Sequence, residues 1–443
     1  MKIQLSDHFT YGRLLRFTFP SIVMMIFTSV YGVVDGFFVS NYVGKTPFAA
    51  INLIMPFLMI LGTLGFMVGT GGSALVAMTF GLGKDKKANS IFSLLIYIII
   101  ILGLLFSVFG ILFVEPMARL LGASEEMMPY CVEYGRIILL ALTAFMLQNV
   151  FQSFLVTAEK PNFGLIITVA AGLTNMILDW LFMAVFGWGI AGAATATAIS
   201  QAVGGVIPLI YFILPNKSKL RLGKTSFDGR ALLKTCTNGS SEFMSNISLS
   251  IVSMLYNFQL MKLAGEDGVS TYGVLMYVNF IFIAAFIGYS VGSAPVVGYH
   301  HGAGSHSELK GLLRKSLTII GIMSLAMFAA AELLAVPLGK IFVGYDAELL
   351  EMTVHAFRIC SIMFIVCGFN IYGSSFFTAL NDGLISALIS FARTLVFQVL
   401  CVLLLPLAFG LDGIWWSVVV SDMLALILTA ACLVKNRKKY HYA

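Results

Sequence analysis

Four oxygen-bearing side chains stand out in a chain that otherwise offers little chemistry. Asp179 lies inside the apolar stretch LTNMILDWLFMAVFGWGIAGAATATAIS, residues 173–200, and Asn175 precedes it by four residues. That spacing puts both on one face of a helix. Thr197 lies eight residues beyond the Gly187-Trp188-Gly189 turn, and Asp35 lies in the first apolar run. Counting ~1.5 Å per helical residue, Asp35, Asp179 and Thr197 fall roughly 8–15 Å below the same surface, with Asn175 about one turn deeper. A carboxylate in a membrane span is costly unless it faces a protein interior or water, so it marks a functional site by default. Two carboxylates, an amide carbonyl and a hydroxyl are hard oxygen ligands. They suit Na⁺, or a proton shared by the carboxylates, since two nearby carboxylates resist joint ionisation. The neutral amide and hydroxyl, which a proton does not need, favour Na⁺ bound by Asp35, Asn175, Asp179 and Thr197. A hydrogen-bonded brace between helices is the bland alternative.

Such residues need a membrane scaffold, and the composition supplies one. Of 443 residues, 59% are hydrophobic and 11% charged, and the mean hydropathy is +0.94. That excludes an ordinary soluble domain. The 42 glycines suit close helix packing in lipid. Apolar runs predict twelve spans: 14–39, 48–80, 90–114, 133–157, 163–186, 190–214, 236–262, 269–299, 313–336, 353–379, 384–408 and 413–434. The runs 48–80 and 269–299 are long enough to conceal a break. Twenty of the 27 Lys and Arg fall in one set of alternate loops and six in the other, with Arg393 inside a span. The net charge of +6 therefore reflects membrane orientation, not nucleic acid. Both termini are expected in the cytoplasm, and the location is a bacterial inner membrane. The six cysteines have no metal or disulfide spacing and read as packing residues. His300, His301 and His306 read as a solvated loop cluster, and no nucleophile–base–orienter set suggests an enzyme. No cofactor is expected beyond a coupling ion, Na⁺ or H⁺.

The chain also repeats. At an offset of 221, Gly44 meets Gly265, Pro116 meets Pro337, Asn149 meets Asn370, and Gly189 meets Gly410. The reading is an all-α integral membrane protein with twelve transmembrane helices in two six-helix lobes, related by a pseudo-two-fold along the membrane normal. The first lobe is 1–214, the inter-lobe loop 215–232 and the second lobe 233–443. Such halves commonly bind substrate between them. The offset carries Asp35 to Tyr256, Asn175 to Val396, Asp179 to Leu400 and Thr197 to Val418, so a coupling site belongs to the first half alone. The second half holds Glu242, Arg393 and Asp422 within spans. Arg393 is expected to pair with Glu242 or Asp422, as a structural ion pair or as part of binding or gating. The acidic balance of these buried charges favours cationic cargo. Pro20, fifteen residues before Asp35, removes a helix hydrogen bond and is a candidate gating bend.

At these residues the chain resembles the multidrug and toxic compound extrusion (MATE) transporters. The resemblance rests on VYGVVDGFFVSNYVG around Asp35, GGSALVAMTFGLGK at 71–84, LTNMILDW around Asp179, GIAGAATAT at 189–197 and SAPVVGYHHGAG at 293–304. The SEF of Ser241–Phe243 and GEDGVSTYGVLMYVNF look like the bacterial MepA-like branch. The resemblance implies two six-helix lobes in a V and export of amphipathic organic cations by Na⁺ or H⁺ antiport. It implies a cation site at Asp35, Asn175, Asp179 and Thr197, and a bending proline at Pro20. The chain lacks the deeper seventh-helix carboxylate and the tenth-helix aspartate of the NorM-like branch. A lipid-linked oligosaccharide or lipid II flippase of the same superfamily is the rival reading; it predicts a basic cavity and often two further spans. The expected partners are small cationic molecules and the bilayer, with the protein acting as a monomer.

Overall fold

A computed structural model describes residues 3–442, so Lys2 of the basic set lies outside the described residues. Membrane-length helices dominate it. Eight helices are long and apolar enough to cross a bilayer, and two pairs of shorter helices do so together across bends of 53° and 50°. Two of the eight, Gly229–Gly302 and Gly383–Tyr440, are each divided by a glycine with positive φ, Gly265 at 63° and Gly410 at 58°. Only glycine turns the chain there without a Cβ clash. The described residues therefore make twelve spans. Span 1 is Tyr11–Tyr42, span 2 Lys45–Gly81 and span 3 Asp85–Leu120. Span 4 is Met128–Leu140 with Leu142–Thr157, span 5 is Pro161–Asp179 continued by Trp180–Val185, and span 6 is Gly189–Ile213. Spans 7 and 8 are 229–264 and 266–302, and span 9 is His306–Val343. Span 10 is Ala347–Ser361 with Phe364–Ala379. Span 11 starts at Gly383 and span 12 follows Gly410.

The repeat is written into the backbone. Positive-φ glycines pair at the offset of 221 three times: Gly44 with Gly265, Gly83 with Gly304, and Gly189 with Gly410. The bends of spans 4 and 10, at Ala141 and Ile362, keep the same offset. Each half buries its own apolar cluster. One is drawn from Val39 to Ala231. The other is drawn mainly from Val252 to Tyr442, and also takes in Leu5, Phe9, Leu14, Phe17 and Val156.

The expected breaks in the long runs are not where the helices break. Lys45–Gly81 is continuous, and so is 266–302. The interruptions fall instead at the two bends and at π-helical turns, Trp180–Val185 and Ala392–Val396. Span 7 begins at Gly229, four residues inside the 215–232 loop. Asp228 starts it by capping the Arg230 and Ala231 N–H groups at 3.1 and 3.0 Å. The remainder of that loop lies along span 3. Asn89 accepts from Arg221 N at 2.6 Å, Ser93 accepts from Gly223 N at 3.0 Å, and Tyr97 donates to the Gly223 carbonyl at 3.0 Å.

The halves meet by glycine. A Cβ on Gly239 of span 7 would sit 1.9 Å from the Met67 carbonyl oxygen of span 2. One on Gly302 of span 8 would sit 2.1 Å from the Met78 oxygen, and one on Gly288 2.5 Å from Ile22 Cα of span 1. Backbone approaches this close need small residues. These seams lie in the halves of spans 1, 2, 7 and 8 nearest the Lys/Arg-rich loops, here called the basic end. At that end the lobes are in backbone contact.

Candidate functional site

Span 1 stands between two neighbours. On one side, Gly172 of span 5 receives the rings of Phe27 and Tyr31, whose atoms lie 2.5 and 2.8 Å from where its Cβ would be. On the other, span 1 packs against Gly288 and Gly292 of span 8. Asp35 is thus carried on the helix shared by the first lobe's interior and the inter-lobe seam. Its neighbour Gly36 faces the Tyr277 hydroxyl of span 8.

Span 5 supplies the partners. Its α-helix is regular through Asn175 and Asp179, which keeps both on one face, and both are buried at 2% and 0% exposure. The π-helical turn begins at the next residue, Trp180. Such turns realign a helix by one residue and are frequent at functional sites. Gly192 of span 6 packs against Phe182 within this turn, and Phe182 stacks on Trp188 at 4.7 Å. The turn thereby fixes where the regular helix, and Asp179 with it, ends.

The half-buried Asp35 side chain lies beside those of Asp179 and Asn175. Yet Asp35 Oδ1, Asn175 Oδ1 and both Asp179 oxygens are buried without a donor. Carboxylate oxygens accept but do not donate unless protonated. Acceptors turned on one another in this way call for a positive species, a proton or a small cation. Thr197 is half-buried on span 6, and its hydroxyl, like the Asp35, Asn175 and Asp179 side chains, makes no hydrogen bond to the other three among the described residues. Instead Ser200, one turn along span 6, donates to the Ala171 carbonyl at 2.8 Å and sets how span 6 faces span 5. Pro20 is buried within span 1, which remains one helix from Tyr11 to Tyr42 across it. No group of three His, Cys, Asp or Glu that could hold a metal occurs among the described residues.

The second lobe separates the three charges grouped by the sequence. Arg393 Nε donates to Asp422 Oδ1 at 2.6 Å. Asn370 Nδ2 donates to the Asp422 carbonyl at 2.8 Å, and Thr429 donates to Asn370 Oδ1 at 3.1 Å. Glu242 does not join them: it makes no ion pair among the described residues, and only its backbone carbonyl accepts, from Asn246 at 2.8 Å. The physical reason is placement. Glu242 lies about one turn past Gly239, on the side of span 7 turned to the seam with span 2, whereas Arg393 extends toward span 12. Sequence reasoning missed Asn370 and Thr429 as partners, although the Asn149–Asn370 match was the available sign.

The MatE family model matches residues 20–181 and 243–403. The multidrug export protein MepA of Staphylococcus haemolyticus (strain JCSC1435) is 22% identical over 428 residues, covering 96% of this chain and 94% of that protein. MepA of Staphylococcus aureus (strain MSSA476) is 22% identical, covering 95% and 92%. Among solved structures, MATE in complex with MaL6 is similar with a TM-score of 0.92 at 22% identity, over 97% of this chain and 98% of that one. An outward-facing multidrug resistance MATE family transporter of the MOP superfamily gives 0.91 at 22% identity, over 97% and 98%.

Proposed function

This chain belongs to the MatE family, and on that premise we propose that it exports amphipathic organic cations from a bacterial cell by alternating access, in exchange for protons. The similar MepA proteins are multidrug exporters by name, and the two-lobe fold suits a carrier whose cargo binds between halves. The observation that carries the coupling mechanism is the orphaned oxygen set of Asp35, Asn175 and Asp179. One proton shared between the two carboxyl groups satisfies acceptors that otherwise face each other. The proton reading is preferred to Na⁺ because two neighbouring carboxyl groups suffice to share one proton, whereas Na⁺ calls for more oxygen ligands.

The mechanism follows from span 1. With the Lys/Arg-rich loops in the cytoplasm, the glycine seams close the cytoplasmic side and the half-exposed Asp35 is reached from outside. Protonation removes the repulsion between Asp35 and Asp179 and draws span 1 against span 5. Because the opposite face of span 1 packs on span 8, that movement loosens the seam. The inward-facing state releases the proton and takes up cargo. A cation drives this cycle only by binding the two states with different affinity.

Purified protein in proteoliposomes tests the proposal. An ethidium-like dye should be exported under a pH gradient at equal Na⁺ and not under a Na⁺ gradient at equal pH. Export under Na⁺ alone would replace the proton with Na⁺, and no export under either gradient would overturn the exporter.

A further inference from the structure

The segment Ile3–Thr10 precedes span 1 and runs across the basic end. Gln4, Ser6 and His8 are exposed, whereas Leu5 and Phe9 are fully buried within the second lobe's cluster. Phe9 meets Phe17 edge-on at 6.0 Å and His300 of span 8 at 6.2 Å. Its carbonyl accepts from Lys315 Nζ of span 9 at 2.5 Å, and His8 pairs with Glu308 of the same span. The segment is therefore docked on the second lobe by apolar and polar contacts.

Its remaining anchor belongs to the first lobe. Leu5 N–H donates to Glu159 Oε1 at 2.9 Å, and Lys219 Nζ reaches the same oxygen at 2.7 Å. Glu159 follows span 4 with a φ of 59° and is 7% exposed. A left-handed, buried glutamate is an uncommon combination, and such residues persist where the surroundings hold them. Lys219 comes from the loop fastened to span 3, and its ammonium lies 5.7 Å over the ring of Tyr299. Tyr299, on span 8, packs against the buried clusters of both lobes.

We propose that Ile3–Thr10 is a strap holding the two lobes shut at the basic end, that Glu159 is its catch, and that the Leu5–Glu159 contact breaks whenever this end opens. The closed state is where the Glu159 carboxylate keeps a backbone N–H and an ammonium together; parting the lobes pulls the N–H away with the second lobe. A buried carboxylate that loses a donor is destabilised, which biases the equilibrium toward closure. The role of the strap rests on the alternating-access reading, but its test reads lobe separation directly.

The test uses full-length protein with spin labels at Lys86→Cys and Arg437→Cys, exposed positions on the first and second lobes, in a Cys236→Ser background. Distances are measured without cargo or gradients. Glu159→Ala and Lys315→Met should each raise the population with a wide basic end, on the order of ten-fold. The double variant should add little, because both substitutions cut the same strap at its two ends. Unchanged distances in Glu159→Ala protein of normal helix content would overturn the proposal. Full additivity would overturn it as well, since each residue would then support only its own lobe. If Glu159→Ala does not fold, Lys315→Met and deletion of residues 3–9 carry the test: widening supports the strap, and its absence refutes it. A failed strap leaves the exporter proposal standing, and failed dye transport leaves the strap standing.

Discussion

Arg393 and Asp422 show what a buried charge in this protein costs and what holds it. Asp422 is 3% exposed at its side chain and Arg393 19%, and the pair is fastened by Asn370 and Thr429. Removing one partner strands the other. Arg393→Met should therefore lower stability by roughly 3–5 kcal/mol, and adding Asp422→Asn should recover most of it. Thermal unfolding in detergent reads both, and Glu242→Gln, which breaks no ion pair, should move the midpoint little. A second residue, Asp382, lies outside the spans, between spans 10 and 11. Burial alone would raise its pKa, but hydrogen bonds from Tyr440 and Lys439 outweigh that and hold it below the usual carboxylate value. A depressed folded pKa gives stability that is present above the unfolded value, near ~4, and is lost only as pH falls through the folded value. The C-terminal tail should stay docked from neutral pH down to about pH 5 and release under stronger acid, as followed by proteolysis of the tail. Of the chemistry-bearing residues, Asn175 and Asp179 were legible because helical spacing places i and i+4 together. Thr197 was not. Depth along a helix follows from counting, but rotation about its axis is set by contacts such as Ser200 with the Ala171 carbonyl. Glu159 was invisible for a related reason: its partner Leu5 is 154 residues away.

At the scale of elements, glycine spacing carries the closure of the basic end. Gly239→Val would put a branched side chain where even a Cβ falls 1.9 Å from the Met67 oxygen. Backbone cannot give way as a flexible side chain does, so the sealed state should be lost selectively. Alkylation of Cys236, exposed three residues earlier on span 7, should become faster in Gly239→Val protein, and an unchanged rate would show that the seam adapts. Pro20 gives a second prediction. Pro20→Ala restores a backbone hydrogen bond and stiffens span 1. Expression should be normal and dye efflux slower; wild-type efflux would show that the proline only shapes the helix. The twelve spans and their turns were readable because apolar run length and glycine mark them. The bends at Ala141 and Ile362 were not, since neither residue is Gly or Pro and bends without those residues arise from packing. The π-helical turns were equally silent, because one extra residue per turn leaves an apolar sequence apolar.

At the scale of the molecule, the asymmetry between the lobes matters most. The fold repeats with positive-φ glycines at one offset, yet Tyr256 and Leu400 stand where the first lobe has Asp35 and Asp179. Tyr256 donates to Gln398 at 2.8 Å and stacks on Tyr272 at 4.9 Å, so that position serves packing in the second lobe. One lobe thus carries the proposed coupling chemistry, while its twin supplies the opposing wall and the seam. Span 1 links the two functions by touching span 5 on one face and span 8 on the other. The account stands or falls on Asp179. In proteoliposomes, Asp179→Asn protein should bind dye but export none of it under a pH gradient that drives the wild type. Undiminished gradient-driven export by the Asp179→Asn protein would contradict the account and remove this site from the mechanism.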